Sequence, residues 1–149
     1  SAVLPTYSLS PAVVGKMVEY ARKLAFALNI KGLINIQFAI KKEDVYVIEA
    51  NPRASRTTPF IAKAYEVPYL NMATQVMLGV KKISDFTIDK KLTGFAIKVP
   101  VFSFNKFPGV DKNLGPEMKS TGEMIYYIKD IYDPFFRDLD SKRSMFLSR

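Results

Sequence analysis

The stretch from Gly32 to Asn51 constrains this chain most, because the Asn, Gln and Glu residues on both sides of a short charged break all fall on odd positions. In GLINIQFAI the even positions Ile34, Ile36, Phe38 and Ile40 are all apolar, while Leu33, Asn35, Gln37 and Ala39 take the odd ones. In VYVIEAN the odd positions are Val45, Val47, Glu49 and Asn51, with Tyr46, Ile48 and Ala50 between them. A period of two in β-branched and aromatic residues belongs to strands, whose side chains alternate between two faces. The intervening Lys41-Lys42-Glu43-Asp44 is short and charged, so the arms Gly32–Ile40 and Val45–Asn51 read as an antiparallel hairpin.

Opposed residues of an antiparallel pair share a face, so pairing fixes which side chains meet. The polar residues of both arms fall on odd positions, and making the apolar faces coincide also brings the polar ones together. The expected register sets Gln37 opposite Glu49 and Asn35 opposite Asn51, with Lys42, Glu43 and Asp44 in the turn. Directly opposed side chains start roughly 5 Å apart at Cβ. One carboxylate and up to three amide oxygens then converge, which is a ligand set for a hard divalent cation. Pro52, Arg53 and Arg56 follow at once, and a guanidinium there can hold phosphate or carboxylate oxygens bidentately. A polar sheet face open to water is the other reading of the same alternation.

The chain contains neither Cys nor His. Disulfides, Cys/His zinc sites, thiol nucleophiles and Ser–His–Asp triads are therefore excluded within it, and any metal must be held by oxygen. The net charge of +8 attracts polyanions, but the lysines stand in ones and twos (Lys41–Lys42, Lys81–Lys82, Lys90–Lys91) rather than in a block. A solvated basic surface, with no nucleic-acid partner, is expected. No run of about 18 apolar residues occurs, so no membrane span is expected. The start SAVLPTYSLSP lacks the layout of a secretory signal, and opening without Met suits a segment of a longer protein. With 149 residues, 48% of them hydrophobic, the chain can form one packed domain or part of one.

Around the hairpin, Ser10-Pro11 is a helix start, and Val14, Met17, Val18, Ala21, Leu24, Ala25 and Leu28 recur at helical spacing as a core stripe ending near Asn29. Thr57 or Thr58 is expected to cap a second helix running to about Glu66. Pro68 starts a third, with Leu70, Ala73 and Met77 facing inward and Gly79 closing it. Thr93 to Phe104 alternates as a strand that Pro100 confines to an edge or a bulge. A turn-rich loop centred on Pro108-Gly109 and a last strand from Ser120 to Ile128 complete the pattern.

At IEANPRASRT the sequence resembles the ATP-grasp half-domains of the carbamoyl-phosphate synthase large subunit. KLAFALNIKGLINIQFAI, VYVIEANPRASRTTPFIAKA, the following VP and VMLG, and FNKFPGVDKNLGPEMKSTGE resemble that family in the same order, from about Ser1 to Glu123. RTTPF and FNKFPGVDKNLGPEM look more like its later, carbamate-phosphorylating unit than its earlier, bicarbonate-phosphorylating one. The resemblance implies an α+β fold, the C-terminal subdomain of an ATP-grasp domain, with an antiparallel sheet flanked by helices. Residues 1–128 would form that incomplete domain and 129–149 a divergent tail able to form a short helix. The family's glycine-rich lid, adenine-contacting segment and upstream basic residues would precede Ser1, so the isolated segment is expected to be inactive.

Residue by residue, the resemblance implies that Gln37 and Glu49 bind metal and nucleotide phosphates and that Asn51 binds the second metal. It implies that Asn35 stands beside that cluster, that Arg53 meets the transferred phosphoryl group or the carbamate, and that Arg56 is the second arginine of the loop. The implied cofactors are ATP and two Mg²⁺ or Mn²⁺ ions. The implied partners are carbamate, the remainder of the large subunit and a glutaminase subunit or domain. The expected compartment is the cytoplasm, with the mitochondrion left open, and the pathway is pyrimidine or arginine synthesis. Two other readings stand beside this one. A biotin-dependent carboxylase also ends its metal strand in Glu-x-Asn, but usually carries a second Glu where this chain has Gln37. A non-catalytic ATP-grasp remnant would act in subunit contact or regulation.

Overall fold

The computed structural model describes residues 2–88, 92–106, 109, 111, 113, 117–130 and 132–134. The chain divides into two compact units, Thr6–Lys91 and a second made of Ser1–Pro5 with Leu92–Arg149. Within the described residues the class is α+β, with antiparallel pairing throughout.

The unit Thr6–Lys91 contains α1 (Pro11–Ala27), the hairpin β2 (Asn35–Lys41) and β3 (Asp44–Asn51), then α2 (Thr57–Tyr65) and α3 (Tyr69–Met77). The Ser10 hydroxyl caps α1 by accepting from the Val13 amide at 3.3 Å, and Pro11 follows where no N–H is required. The same hydroxyl donates to the Glu43 carboxylate (3.3 Å to Oε2), and Lys16 Nζ donates to the Glu43 carbonyl at 3.0 Å. The hairpin turn is thereby tied to the start of the helix that packs on β3.

The apolar stripe of α1 is not a sealed core. Val13, which the periodicity passed over, is the buried residue of the helix, whereas Val18 is 62% exposed and Leu28 52%. Phe60 and Ala64 of α2, Val67 in the link and Ala73 of α3 form the rest of this unit's buried set. Ala73 faces inward as its spacing predicts, but Leu70 and Met77 remain largely exposed. Gly79 has φ 70 just past the C-cap residue Leu78, the left-handed position that favours glycine there.

The second unit is a three-stranded antiparallel sheet in the order β1-β4-β5, with β1 Ala2–Leu4, β4 Phe95–Val101 and β5 Gly122–Ile128. The β1 strand has no local signal; three residues become a strand only because residues 96–98 pair with them. β4 is therefore the central strand, not the edge that Pro100 suggested. The proline is tolerated because β1 stops at the Ala2↔Lys98 pair, leaving Pro100 beside β5 alone. Ala96, Ile97 and Ile128 are buried here, and Lys98 forms a 2.9 Å ion pair with Glu123 across β4 and β5. The backbone amide of Asn113 and the ammonium of Lys119 hold the Asp111 carboxyl below the usual aspartate range. A lowered folded-state pKa means that this clasp persists above the unfolded value and is released as acid protonates Asp111. Pro108 and residues 135–149, where a turn centre and a helical tail were expected, lie outside the described residues.

Two substitutions test these joints. Ser10→Ala removes the α1 cap and its link to Glu43, and should lower stability by about 1 kcal/mol in urea unfolding followed by circular dichroism. Gly94 has φ 81, and a Cβ there would run into the carbonyl oxygen of Ile128. Gly94→Ala should therefore cost at least about 2 kcal/mol in the same measurement, and a neutral outcome would contradict this approach of β4 to β5.

Candidate functional site

The hairpin brings together the four polar residues expected to meet. Asn35 pairs with Asn51 and Gln37 with Glu49, as the alternation predicts. Neighbouring pairs on one face lie two residues apart along the strand, roughly 7 Å, and each pair spans roughly 5 Å. The patch is thus the size of a small ion cluster. Gln37 and Glu49 are exposed, while Asn35 and Asn51 are half-buried at the base of the loop.

The route to this arrangement differs from the uniform register expected. The turn holds two residues, Lys42 and Glu43, with Lys42 at φ 58, and Asp44 already pairs with Lys41. From there Ile40 faces Val45, Ala39 faces Tyr46 and Phe38 faces Val47. The next pair is Gln37 with Glu49, so Ile48 is an extra, unpaired residue, a β-bulge. Val45 and Val47 consequently share the apolar face of Phe38 and Ile40, rather than the face of Glu49 and Asn51. The correction makes the chemistry cleaner, because the polar patch no longer includes two valines.

Beyond β3 the chain turns sharply, with the Arg53 amide donating to the Asn51 carbonyl at 2.8 Å. Arg53 Nη1 donates to the Ala54 carbonyl at 3.0 Å, which holds the side chain against its own loop. The residue at the N-cap of α2 is Arg56, whose side chain makes no capping hydrogen bond, rather than the expected Thr57 or Thr58. Instead the hydroxyls work within the loop. The Ser55 amide donates to Thr58 Oγ1 at 3.1 Å, and the Thr57 amide donates to Ser55 Oγ at 3.2 Å. Arg56 stands inside this bracket, exposed. Ser55 was not singled out from sequence and Thr58 only as a helix cap, although a Ser/Thr pair three residues apart before a helix is a local backbone-binding signal.

Two cavities flank the loop. One of about 280 Å³ is lined by Lys31, Arg53, Leu70, Ala73 and Met77 among others. The other, of about 200 Å³, joins Asn35 to Ser55, Thr57, Thr58 and Tyr69. Among the described residues no group of three Asp, Glu, His or Cys side chains could hold a metal. Any ion here would rest on the Glu49 carboxylate and neutral amide oxygens, with bound phosphates supplying the remaining charge. Such a donor set fits a hard cation that arrives with a nucleotide.

Residues 2–83 match the family model of the carbamoyl-phosphate synthase L chain, ATP binding domain. The chain is 52% identical over 127 residues to the carbamoyl phosphate synthase large chain of Archaeoglobus fulgidus, a match covering 84% of this chain and 12% of that protein. It is 49% identical over 133 residues to the large chain of Acidobacterium capsulatum, again 84% of this chain and 12% of the relative. It is also 44% identical over 148 residues to the large chain, C-terminal section, of Methanocaldococcus jannaschii, covering 92% of this chain and 24% of that one. The family model covers more than half of the chain, and these relatives are 44–52% identical to it over most of its length. The chain belongs to the carbamoyl-phosphate synthase large-chain family.

Proposed function

We propose that this segment supplies the metal- and phosphate-binding hairpin of the later ATP-grasp unit, which phosphorylates carbamate with ATP to give carbamoyl phosphate. The observation that carries the reading is the Gln37–Glu49 pair beside Asn35–Asn51, directly followed by the loop with Arg53 and Arg56. The likeness to a relative named as a C-terminal section supports the later unit over the earlier one.

In this reading Glu49 and Gln37 would hold one divalent ion that also binds nucleotide phosphates, and Asn51 would supply oxygen to a second. Bound Mg²⁺ or Mn²⁺ would neutralise the charge that builds on phosphate oxygens during transfer. Arg53, exposed at the loop, orients the anionic acceptor for in-line attack on the γ-phosphate, and Arg56 offsets charge on the equatorial oxygens. Carbamate is already an anion, so no proton need be removed and a chain without His suffices for the step. The hydroxyl bracket of Ser55 and Thr58 shapes the backbone that carries Arg56, and the bond from the Arg53 amide to the Asn51 carbonyl shapes that of Arg53. The rest of the large chain would provide the remaining nucleotide contacts, and a glutaminase partner the nitrogen. The compartment that goes with this reading is the cytoplasm, with the mitochondrion left open.

The test uses a chimera in which this segment replaces its counterpart in the Archaeoglobus fulgidus large chain. ATP should form from ADP, Mg²⁺ and carbamoyl phosphate. Glu49→Gln should lower kcat by about 1,000-fold with the melting temperature little changed, since one carboxylate governs the ion. Wild-type rates in that variant would sink the metal assignment. Arg53→Lys should keep the charge but lose the bidentate fork, raising KM for carbamoyl phosphate by about 10-fold.

A further inference from the structure

The bulge at Ile48 calls for a reason that register alone does not provide. A two-residue turn fixes Lys41 opposite Asp44, and an unbroken ladder from there would set Gln37 against Ile48 and Ile36 against Glu49. Glu49 would then lie on the apolar face. The extra residue cures this, but so would one residue fewer: without Ile48, Val47 and Glu49 would be consecutive and still face Phe38 and Gln37. The facing pairs therefore do not require a bulge. Ile48 adds no core packing within its unit either, being 60% exposed. What a bulge adds that a flat pair lacks is a bend and an increased right-handed twist at the residue that follows it.

We propose that Ile48 is a positioning residue whose bulged backbone turns the Glu49 carboxylate out of the plain cross-strand orientation and toward Asn51 and the arginine loop. In a flat ladder Glu49 would stand upright beside Gln37, with Asn51 roughly 7 Å along the strand. The added twist would bring the carboxylate toward the second pair, where it could contribute to holding an ion beside Asn51 as well. The inference rests on the assignment of Glu49 as a metal ligand.

The experiment deletes Ile48 in the chimera described above and compares it with Ile48→Ala, which retains the extra backbone residue. The deletion should keep the fold, shown by an unchanged circular dichroism spectrum. It should lower kcat for ATP formation by about 10- to 100-fold and weaken Mn²⁺ binding in the presence of ADP, read by electron paramagnetic resonance, by a similar factor. KM for carbamoyl phosphate should stay unchanged, because the arginine loop is intact. Ile48→Ala should stay within about 3-fold of the parent, a change too small for a lost ligand. A folded deletion variant with parental kcat and Mn²⁺ affinity overturns the proposal. So does an Ile48→Ala variant as impaired as the deletion, which would assign the effect to the side chain. Should the deletion not fold, cross-strand nuclear Overhauser effects in the unaltered chain decide: an unbroken ladder through Ile48 refutes the idea, and the pairs Gln37–Glu49 and Phe38–Val47 flanking an unpaired Ile48 support it. Parental activity in Glu49→Gln would instead remove the metal reading itself, so the two failures are distinguishable.

Discussion

The antiparallel pairing of Asn35–Lys41 with Asp44–Asn51 is the constraint on which the rest of the site depends. It is short, closed by a two-residue turn, and held at that turn by Glu43. The carboxylate and carbonyl of this one residue join the hairpin to the cap and second turn of α1. A two-stranded ribbon alone is marginal in water, so packing of α1 on β3 is part of what keeps the ligand-bearing strands in place. On the polar face Gln37 and Glu49 stay exposed, while Asn35 lines a cavity with Thr57, Thr58 and Ile61 of α2 and Tyr69 of α3.

The loop after β3 follows from the same economy. Asn51 ends the strand with its carbonyl taken by the Arg53 amide, and Ser55 and Thr58 absorb the next backbone donors. The loop is therefore shaped by its own hydroxyls and carbonyls. Its two guanidiniums add positive charge beside a single carboxylate, an arrangement that suits polyanionic phosphate better than a lone cation. With no Cys or His in the chain, thiol and imidazole chemistry are excluded here, and the carboxylate, amides and guanidiniums can hold, orient and neutralise charge.

Much of the site was legible from residues alone. Alternation in two arms sufficed to place Gln37 against Glu49 and Asn35 against Asn51, because one face of a hairpin has to be apolar and only one parity satisfies that. The cap of α1 was equally plain, since Ser10-Pro11 acts through local geometry. Other features were not legible, and each for a physical reason. The bulge at Ile48 depends on the turn closing with two residues rather than three, a difference the charged tetrad Lys41–Asp44 does not declare. The strand Ala2–Leu4 exists only through pairing with residues nearly a hundred positions away. The edge inferred from Pro100 holds only locally, where β1 has ended and β5 is the one neighbour, while the strand as a whole is central.

The sequence by itself determined which side chains share a face, which helices start where, and that no thiol or imidazole chemistry is open to this chain. Period, caps and composition are local properties, and they are written in the order of the residues. Only the tertiary structure decided how the polar face is aimed. The bulge, the tie from Glu43 to α1 and the hydroxyl bracket of the arginine loop are settled by contacts between segments, where a single added residue can reverse a face without changing the pattern that announced it.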